Sequence, residues 1–248
     1  VSMQKDLKNM AGDEHREWHN IFGMLFHRAT GEGLVQRNAD HDTRPFVLSR
    51  SFFAGSQRYG AIWTGDNEAK WGHLQIAAPM LLSMNTAALS FVGADVGGFF
   101  GNTEAELFSR WMQAGAYQPF FRGHAHHDSA RREPWMFDDA TLHRLRQASM
   151  TRYALLPFWY TVFYEAETTG MPVMRIIWME SPDVDALFGV AHQYMIGSDL
   201  LVHPVIESGK KDAEVLFPVK DSWYDVDTLT VVSEAQPNET GVTTKVLS

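Results

Sequence analysis

Helical segments alternate with short apolar segments along the first 170 residues, and this alternation is the feature that most restricts the fold. Four apolar segments are predicted as strands, at residues 44–50, 60–63, 88–93 and 119–122. Helices are predicted at residues 14–30, 71–84, 104–115 and 141–168, with a break in the last one at Pro157. Such alternation is typical of a parallel sheet flanked by helices, because parallel neighbours need long crossover connections.

A polar residue stands at or just after the end of each predicted strand. These residues are Arg50, Asp66, Asp95 and His124. Because the carboxyl ends of parallel strands meet at one edge of a sheet, we expect the four side chains to lie near one another. Chemistry gathers at that edge in (β/α)8 barrels and in doubly wound sheets, so the pattern alone leaves both folds open.

Beyond residue 170 the pattern changes to short strands separated by turn residues. Strands are predicted at residues 173–179, 200–205, 215–218 and 228–232, and residues 242–247 are also strand-like. This texture predicts a β-rich second domain, so we divide the chain into residues 1–170 and 171–248. The chain begins with Val1, shows no signal peptide and ends in strand-like sequence, from which we expect a segment of a longer protein.

Composition and charge exclude several classes of protein and of site. Thirty acidic residues against 21 basic ones give a net charge of −9, which argues against a nucleic-acid partner. The absence of cysteine excludes disulfides, thiolate metal sites and a cysteine nucleophile. Residues 76–94 carry no charge over a length that could cross a membrane, but Pro79 and several polar residues interrupt them. We therefore predict a buried helix and strand there and no membrane span.

The charged residues at the strand ends suggest acid–base chemistry. Asp66 follows Trp63, and partial desolvation of a carboxyl group beside an indole would suit it to general-acid catalysis near neutral pH. The alternative role of Asp66 is to cap the helix that follows. We predict that Asp95 pairs with Arg122 from the next strand. Arg50 must either be paired or face a cleft, because an unpaired buried charge is costly.

The histidines leave a metal site open. His124 and His126 are two residues apart, so on a strand they would point the same way, as in metal-dependent hydrolases of barrel fold. A single histidine that bonds a sugar or a carboxylate is the interpretation that we favour. Arg131, Arg132 and Glu133 are predicted to be a solvated or lightly paired surface run. Residues 238–240 form an N-glycosylation sequon, a pattern that also arises often by chance.

Long, ordered motifs between residues 13 and 206 resemble glycoside hydrolase family 31. The motifs are residues 44–60, 63–67, 93–99, 110–116, 119–124, 132–135 and 152–157. Residues 14–17, 52–59 and 124–126 are similar in particular to members that trim glucose from N-linked glycans on glycoproteins in the endoplasmic reticulum. The resemblance implies an α/β fold, with the second half of a (β/α)8 TIM barrel followed by the start of a β-sandwich domain.

The resemblance also implies retaining hydrolysis of terminal α-linked glucose from oligosaccharides, which needs a nucleophilic carboxylate and an acid/base carboxyl group. By its motif Asp66 would be the acid/base. Arg50 and His124 would hydrogen-bond glucose hydroxyls, and Trp63 and Phe99 would form the walls of the pocket. Supporting roles behind these residues are implied for Asp95 and Arg122. The resemblance implies no cofactor and no metal.

The sequence departs from the family at the nucleophile. That residue belongs to a Trp-x-Asp-Met-Asn-Glu motif, which these 248 residues do not contain. We therefore expect the nucleophile to be absent from this chain and the chain alone to be inactive and poorly stable, because half a barrel leaves sheet edges open. A non-catalytic carbohydrate-binding barrel is one alternative, and a metal-dependent hydrolase that uses His124 and His126 is another. The resemblance alone implies a non-catalytic β subunit, an N-glycan substrate and the endoplasmic reticulum lumen.

Overall fold

The computed structural model describes residues 3–37, 43–236 and 238–248, in a helical part followed by a β-rich part. In these residues the helices are α1 His15–Gln36, α2 Trp71–Thr86, α3 Ala105–Ala116, α4 Asp139–Ala154 and α5 Leu156–Thr169. The first strands are β1 Leu48–Ser49, β2 Ala61–Trp63 and β3 Val92–Gly93. The predicted alternation of helices and strands is thus present. None of the helices in the described ranges combines the length and apolar character needed to cross a bilayer.

The three strands form a parallel sheet in sequential order, with β2 in the middle. Ala61 of β2 pairs with Leu48, and Ile62 pairs with Val92. Sequential parallel neighbours are what the wall of a (β/α)8 barrel contains. Val92 and Ala61 have no exposed surface, so the middle of the sheet is closed on both faces by side chains and helices.

The predicted fourth strand, at residues 119–122, forms no ladder in the structure. Its place beside β3 is as expected, since the N–H of Phe120 donates to the carbonyl of Val92 at 3.0 Å and Val96 bridges Gly123 in parallel. Pro119 has no N–H to contribute to a ladder, so this segment pairs only at isolated residues. It still carries Arg122 and His124 to the same edge as the ends of β1, β2 and β3.

One core cluster connects the parallel sheet to the β-rich part. It contains buried side chains from β2, β3, α2, α5 and the strands after residue 170, among them Ile62, Val92, Leu81, Trp159, Met174, Tyr194 and Ile196. The amide of Asn85, near the end of α2, adds a polar tie in this core: it accepts from the N–H of Met174 at 2.9 Å and donates to the carbonyl of Leu81 at 2.9 Å. The two parts therefore share buried surface.

Arg152 fixes the segment that leads to the sheet edge. Its guanidinium donates to the carbonyls of Ala116, Gln118 and Pro119 at 3.2, 2.6 and 2.8 Å. The same group lies 4.1 Å from the ring centre of Trp159, and burial lowers the pKa of Arg152 to about 10. The predicted helix break is also present, because α4 ends at Ala154 and Pro157 stands in the first turn of α5, where a missing N–H costs nothing.

The described residues of the β-rich part form three small antiparallel sheets. Its strands are β4 Met174–Ile176, β5 Tyr194–Ile196, β6 Leu200–Val202, β7 Ala213–Pro218, β8 Trp223–Tyr224, β9 Val231–Ser233 and β10 Val242–Leu247. The first three pair in sequential order, β7 pairs with β10, and β8 pairs with β9. The strands β5 and β8 were not predicted, because three or two residues are too few to establish an alternating pattern.

Candidate active site

Arg50 and Asp66 meet at the carboxyl edge of the parallel sheet. Arg50 directly follows β1, Asp66 follows β2, and these two strands are neighbours. Nη1 of Arg50 lies 3.4 Å from Oδ2 of Asp66, with 58% and 34% of the respective side chains exposed. The helix-cap role considered for Asp66 does not fit, because α2 begins at Trp71 and residue 70 takes the cap position. Asp66 therefore presents an accessible carboxyl group beside a cation.

Gly65 makes the close approach of Arg50 possible. Its φ of +84° lies in the left-handed region, which side chains rarely tolerate. A Cβ at this position would also lie 2.4 to 2.6 Å from atoms of the Arg50 guanidinium. Gly65 was not among the residues predicted for the site, although a glycine directly before a strand-end carboxylate is a signal for such a role.

Asp95 and Arg122 form an ion pair at the same edge of the sheet, with the Asp95 carboxylate buried. Nη2 of Arg122 lies 2.7 Å from Oδ1 of Asp95, whose side chain is 1% exposed. Burial raises the pKa of the Asp95 carboxyl, and Arg122 opposes that rise. The guanidinium of Arg122 also lies 5.2 Å from the ring centre of Trp63. Arg122 thus packs against the Trp63 indole and Asp95 holds Arg122 in place. Because the Asp95 side chain is buried, it cannot contact a substrate.

Asn67 ties the Asp66 loop to the next loop along the edge. Its Nδ2 donates to the carbonyl of Asp95 at 3.1 Å, and its Oδ1 accepts from the N–H of Phe99 at 2.8 Å. The N–H of Phe100 donates to the Asn67 carbonyl at 2.9 Å. A short amide side chain supplies a donor and an acceptor on two separate atoms, so one Asn can reach two backbone groups at once. Sequence reasoning missed this role, because the tie joins residues about 30 positions apart.

Phe99 and His124 pack against each other at the same edge of the sheet, with ring centroids 5.1 Å apart. Arg132 fixes the backbone beneath them by donating to the carbonyls of Gly97 and His124. Arg132 is half-buried and bonded to these two carbonyls, so it departs from the predicted surface run, and burial lowers its pKa. Its neighbours Arg131 and Glu133 form an exposed pair at 2.9 Å, as the prediction of a lightly paired run allowed.

The metal hypothesis named His124 and His126, but the structure groups the histidines differently. Among the described residues, one set of three side chains has the proximity needed to hold a metal ion, and it consists of His126, His127 and Asp128. His124 is not part of this set. The pair that the sequence suggested for a catalytic metal is therefore not assembled with further ligands.

The arrangement suits proton transfer to a neutral, polyhydroxylated ligand. One accessible carboxyl group lies beside an arginine, and aromatic rings stand near it that can pack on the apolar face of a sugar. Asp66 could give a proton to a leaving oxygen and later take one from water. Retaining glycoside hydrolysis needs a second carboxylate about 5–5.5 Å from the first. Asp95 cannot serve, because it is buried and already paired with Arg122.

Comparison with known families agrees with this geometry. The glycosyl hydrolases family 31 TIM-barrel domain matches residues 1–162, and the glycosyl hydrolase family 31 C-terminal domain matches residues 170–246. The chain therefore belongs to glycosyl hydrolase family 31. The predicted fold class, part of a TIM barrel followed by a β domain, is confirmed.

Several of the similar proteins are named as α-glucosidases. Neutral alpha-glucosidase AB of Dictyostelium discoideum is 58% identical over 231 residues, which are 92% of this chain and 24% of that protein. A probable glucan 1,3-alpha-glucosidase of Arabidopsis thaliana is 54% identical over 91% of this chain and 24% of that protein. A crystal structure of a glucosidase II alpha subunit bound to alpha3-Glc2 is 42% identical, with a TM-score of 0.94 over 100% of this chain and 26% of that one. The chain thus spans about a quarter of the length of these relatives.

Proposed function

We propose that this chain is part of a retaining α-glucosidase that removes terminal α-linked glucose from oligosaccharides, with Asp66 as the acid/base. The observation that carries the proposal is the accessible carboxyl group of Asp66 beside Arg50 at the carboxyl edge of the sheet. The similarity to α-glucosidases, at more than half of the aligned positions in several relatives, supports the same reading.

In this proposal Asp66 first protonates the oxygen of the leaving sugar and then accepts a proton from the water that releases glucose. Arg50 and His124 hydrogen-bond glucose hydroxyls, while Trp63 and Phe99 pack against the ring. The ion pair of Asp95 and Arg122 acts from behind, by holding the Trp63 indole in place. The nucleophilic carboxylate comes from sequence outside these 248 residues, which lack its motif. These 248 residues alone are accordingly expected to show no turnover.

The proposed physiological substrate is a glucose-capped N-linked glycan, and the proposed location is the lumen of the endoplasmic reticulum. The support is similarity to glucosidase II alpha subunits, one of which was crystallised with Glc1Man2. A related catalytic subunit was crystallised with the binding domain of a regulatory subunit, and on that ground we propose a non-catalytic β subunit as partner. We also propose that the barrel part ends at residue 170, where Gly170 terminates α5 with a φ of +79°.

The test is a rate assay on the full-length protein that carries these residues, with Asp66→Asn compared against wild type on an α-linked glucose disaccharide. We expect kcat/KM to fall by about 10²- to 10⁴-fold and the basic limb of the pH profile to disappear. A substrate with a good leaving group should lose less, because its departure needs no proton. Asp139→Asn, which changes an exposed carboxylate on α4, is the matched control and should match wild type. Unchanged turnover in Asp66→Asn would refute the assignment.

The lack of the nucleophile motif favours a second candidate, a non-catalytic carbohydrate-binding barrel. The same full-length protein separates the two candidates. Binding of the disaccharide in calorimetry, without any release of glucose, would replace the first proposal with this one.

A further inference from the structure

The turn from His126 to Ser129 gathers three side chains with metal-ligating atoms next to the candidate active site. The N–H of Ser129 donates to the carbonyl of His126 at 3.0 Å and closes the turn. His126, His127 and Asp128 each offer one ligand atom, and these atoms lie within 4.8 Å of one another. The assigned catalytic residues do not include any of the three.

The distances between these atoms resemble the edges of a metal coordination polyhedron. Nδ1 of His126 lies 3.5 Å from Oδ2 of Asp128, and Nε2 of His127 lies 3.2 Å from Oδ1 of the same carboxylate. Tetrahedral zinc sites have bonds of about 2.0–2.1 Å to nitrogen, which place neighbouring ligand atoms about 3.4 Å apart. Nδ1 of His126 also accepts the N–H of Asp128 at 3.3 Å, a long hydrogen bond that a bound ion would replace. Rotations of the exposed His127 and Asp128 side chains would then complete the set.

The backbone around the turn is held in place before any ion binds. The N–H of His126 donates to the carbonyl of Phe99 at 2.9 Å, and Oγ of Ser129 donates to the same carbonyl at 3.3 Å. Downstream, the N–H of Ala130 donates to Oδ1 of Asn102 at 2.7 Å. A ligand set on a fixed backbone loses less conformational entropy on binding than one on a free loop.

We propose that this turn binds a divalent transition-metal ion of the zinc type through His126, His127 and Asp128, with water in the remaining positions. Two imidazoles and one carboxylate suit Zn²⁺, Ni²⁺ or Cu²⁺ better than Mg²⁺ or Ca²⁺, which prefer oxygen ligands. The His126 ring lies 5.5 Å from that of Phe99 and 5.3 Å from that of Phe100, centre to centre. A bound ion would therefore restrain a ring that packs beside Phe99, which the proposed function places in the wall of the sugar pocket.

The link to the sugar pocket rests on the proposed function, whereas the metal binding does not. The test is thus calorimetric titration of the full-length protein with ZnCl₂ at neutral pH, without substrate. His127→Asn and Asp128→Asn should each weaken the binding by about tenfold or more, a scale on which even supporting groups of metal sites act. Both side chains are exposed, so we expect the variants to fold as wild type does.

A second histidine pair provides the control. Nε2 of His15 lies 2.6 Å from Nδ1 of His19 on α1, and such a pair can also attract zinc. His19→Asn should leave the binding unchanged if the turn is the site. The proposal is wrong if His19→Asn removes the binding, or if His127→Asn and Asp128→Asn both bind Zn²⁺ as tightly as wild type. Visible absorption of bound Co²⁺, lost in His127→Asn and Asp128→Asn but kept in His19→Asn, would give an independent confirmation of coordination.

Discussion

The polar side chains at the carboxyl edge of the sheet and Arg152 of helix α4 differ in how completely they are hydrogen-bonded. The guanidinium of Arg152 donates to three backbone carbonyls and packs on the face of Trp159. Arg50 and Asp66, at the edge, touch each other at 3.4 Å and keep large exposed surfaces. Polar groups whose hydrogen bonds are all made within the protein stabilise the fold, and exposed groups with few partners remain available to a ligand. Substitutions in the two regions should therefore affect different properties.

The largest effect on stability is expected from Arg152→Met. The substitution removes a charged donor and leaves the carbonyls of Ala116, Gln118 and Pro119 without it, which should cost about 3 kcal/mol of folding free energy. Calorimetric unfolding of the full-length protein should show a lower Tm. Arg146→Met is the matched control, because Arg146 lies exposed on the same helix, and it should leave Tm nearly unchanged. Equal Tm values for the two variants would contradict the structural role of Arg152.

At the edge, Gly65→Ala should reduce activity more than stability. The added Cβ would collide with the Arg50 guanidinium and would strain a residue whose φ is +84°. Displacement of Arg50 from Asp66 should lower kcat/KM by about 100-fold, the scale of a misplacement of about 1 Å in an active site. Gly72→Ala is the control, since a Cβ there meets nothing within 4 Å at the start of α2. Full activity of Gly65→Ala would show that the contact with Arg50 is dispensable.

The two regions also differ in how far the sequence predicted them. Helix α2 was predicted at residues 71–84 and lies at Trp71–Thr86, because its apolar residues and bounding signals are local. The pairing of Asp95 with Arg122 followed from strand order, since residues at the ends of adjacent parallel strands are neighbours.

Bonds that join distant backbone atoms were not predictable in the same way. The amide of Asn67 connects two loops, and Arg132 reaches two carbonyls from within a run of charged residues. Neither role leaves a periodic pattern or a spacing rule in the sequence. The fourth strand was overpredicted for the opposite reason: residues 119–122 are locally strand-like, but they pair with β3 only at isolated positions.

A smaller effect at the edge is expected from Asn67→Asp. The aspartate keeps an oxygen for the N–H of Phe99 but replaces the donor to the Asp95 carbonyl with a second oxygen, so two acceptors face each other. Loss of that hydrogen bond should lower kcat/KM by about tenfold, or about 1.4 kcal/mol. Asn20→Asp, at an exposed position on α1, adds the same charge without removing a hydrogen bond between loops and should retain wild-type kinetics. Wild-type kinetics in Asn67→Asp would instead mean that the loops keep their positions without this bond.

The smallest expected effect is on the pH dependence of Tm, and it involves His203 in the β-rich part. Burial lowers the pKa of His203 from its ordinary 6.5, although hydrogen bonding to the Pro204 carbonyl partly opposes this. The folded chain then binds a proton less readily than the unfolded one, so the stability from neutral His203 is full above pH 6.5 and declines as the pH falls. His203→Asn removes the titrating group, and its Tm should therefore fall less than that of wild type between pH 7 and about pH 5.5. The Tm difference between the two proteins should stay constant above pH 7, which serves as the internal control. An equal fall in both proteins on acidification would show that the side chain is as well hydrated in the folded chain as in the unfolded one.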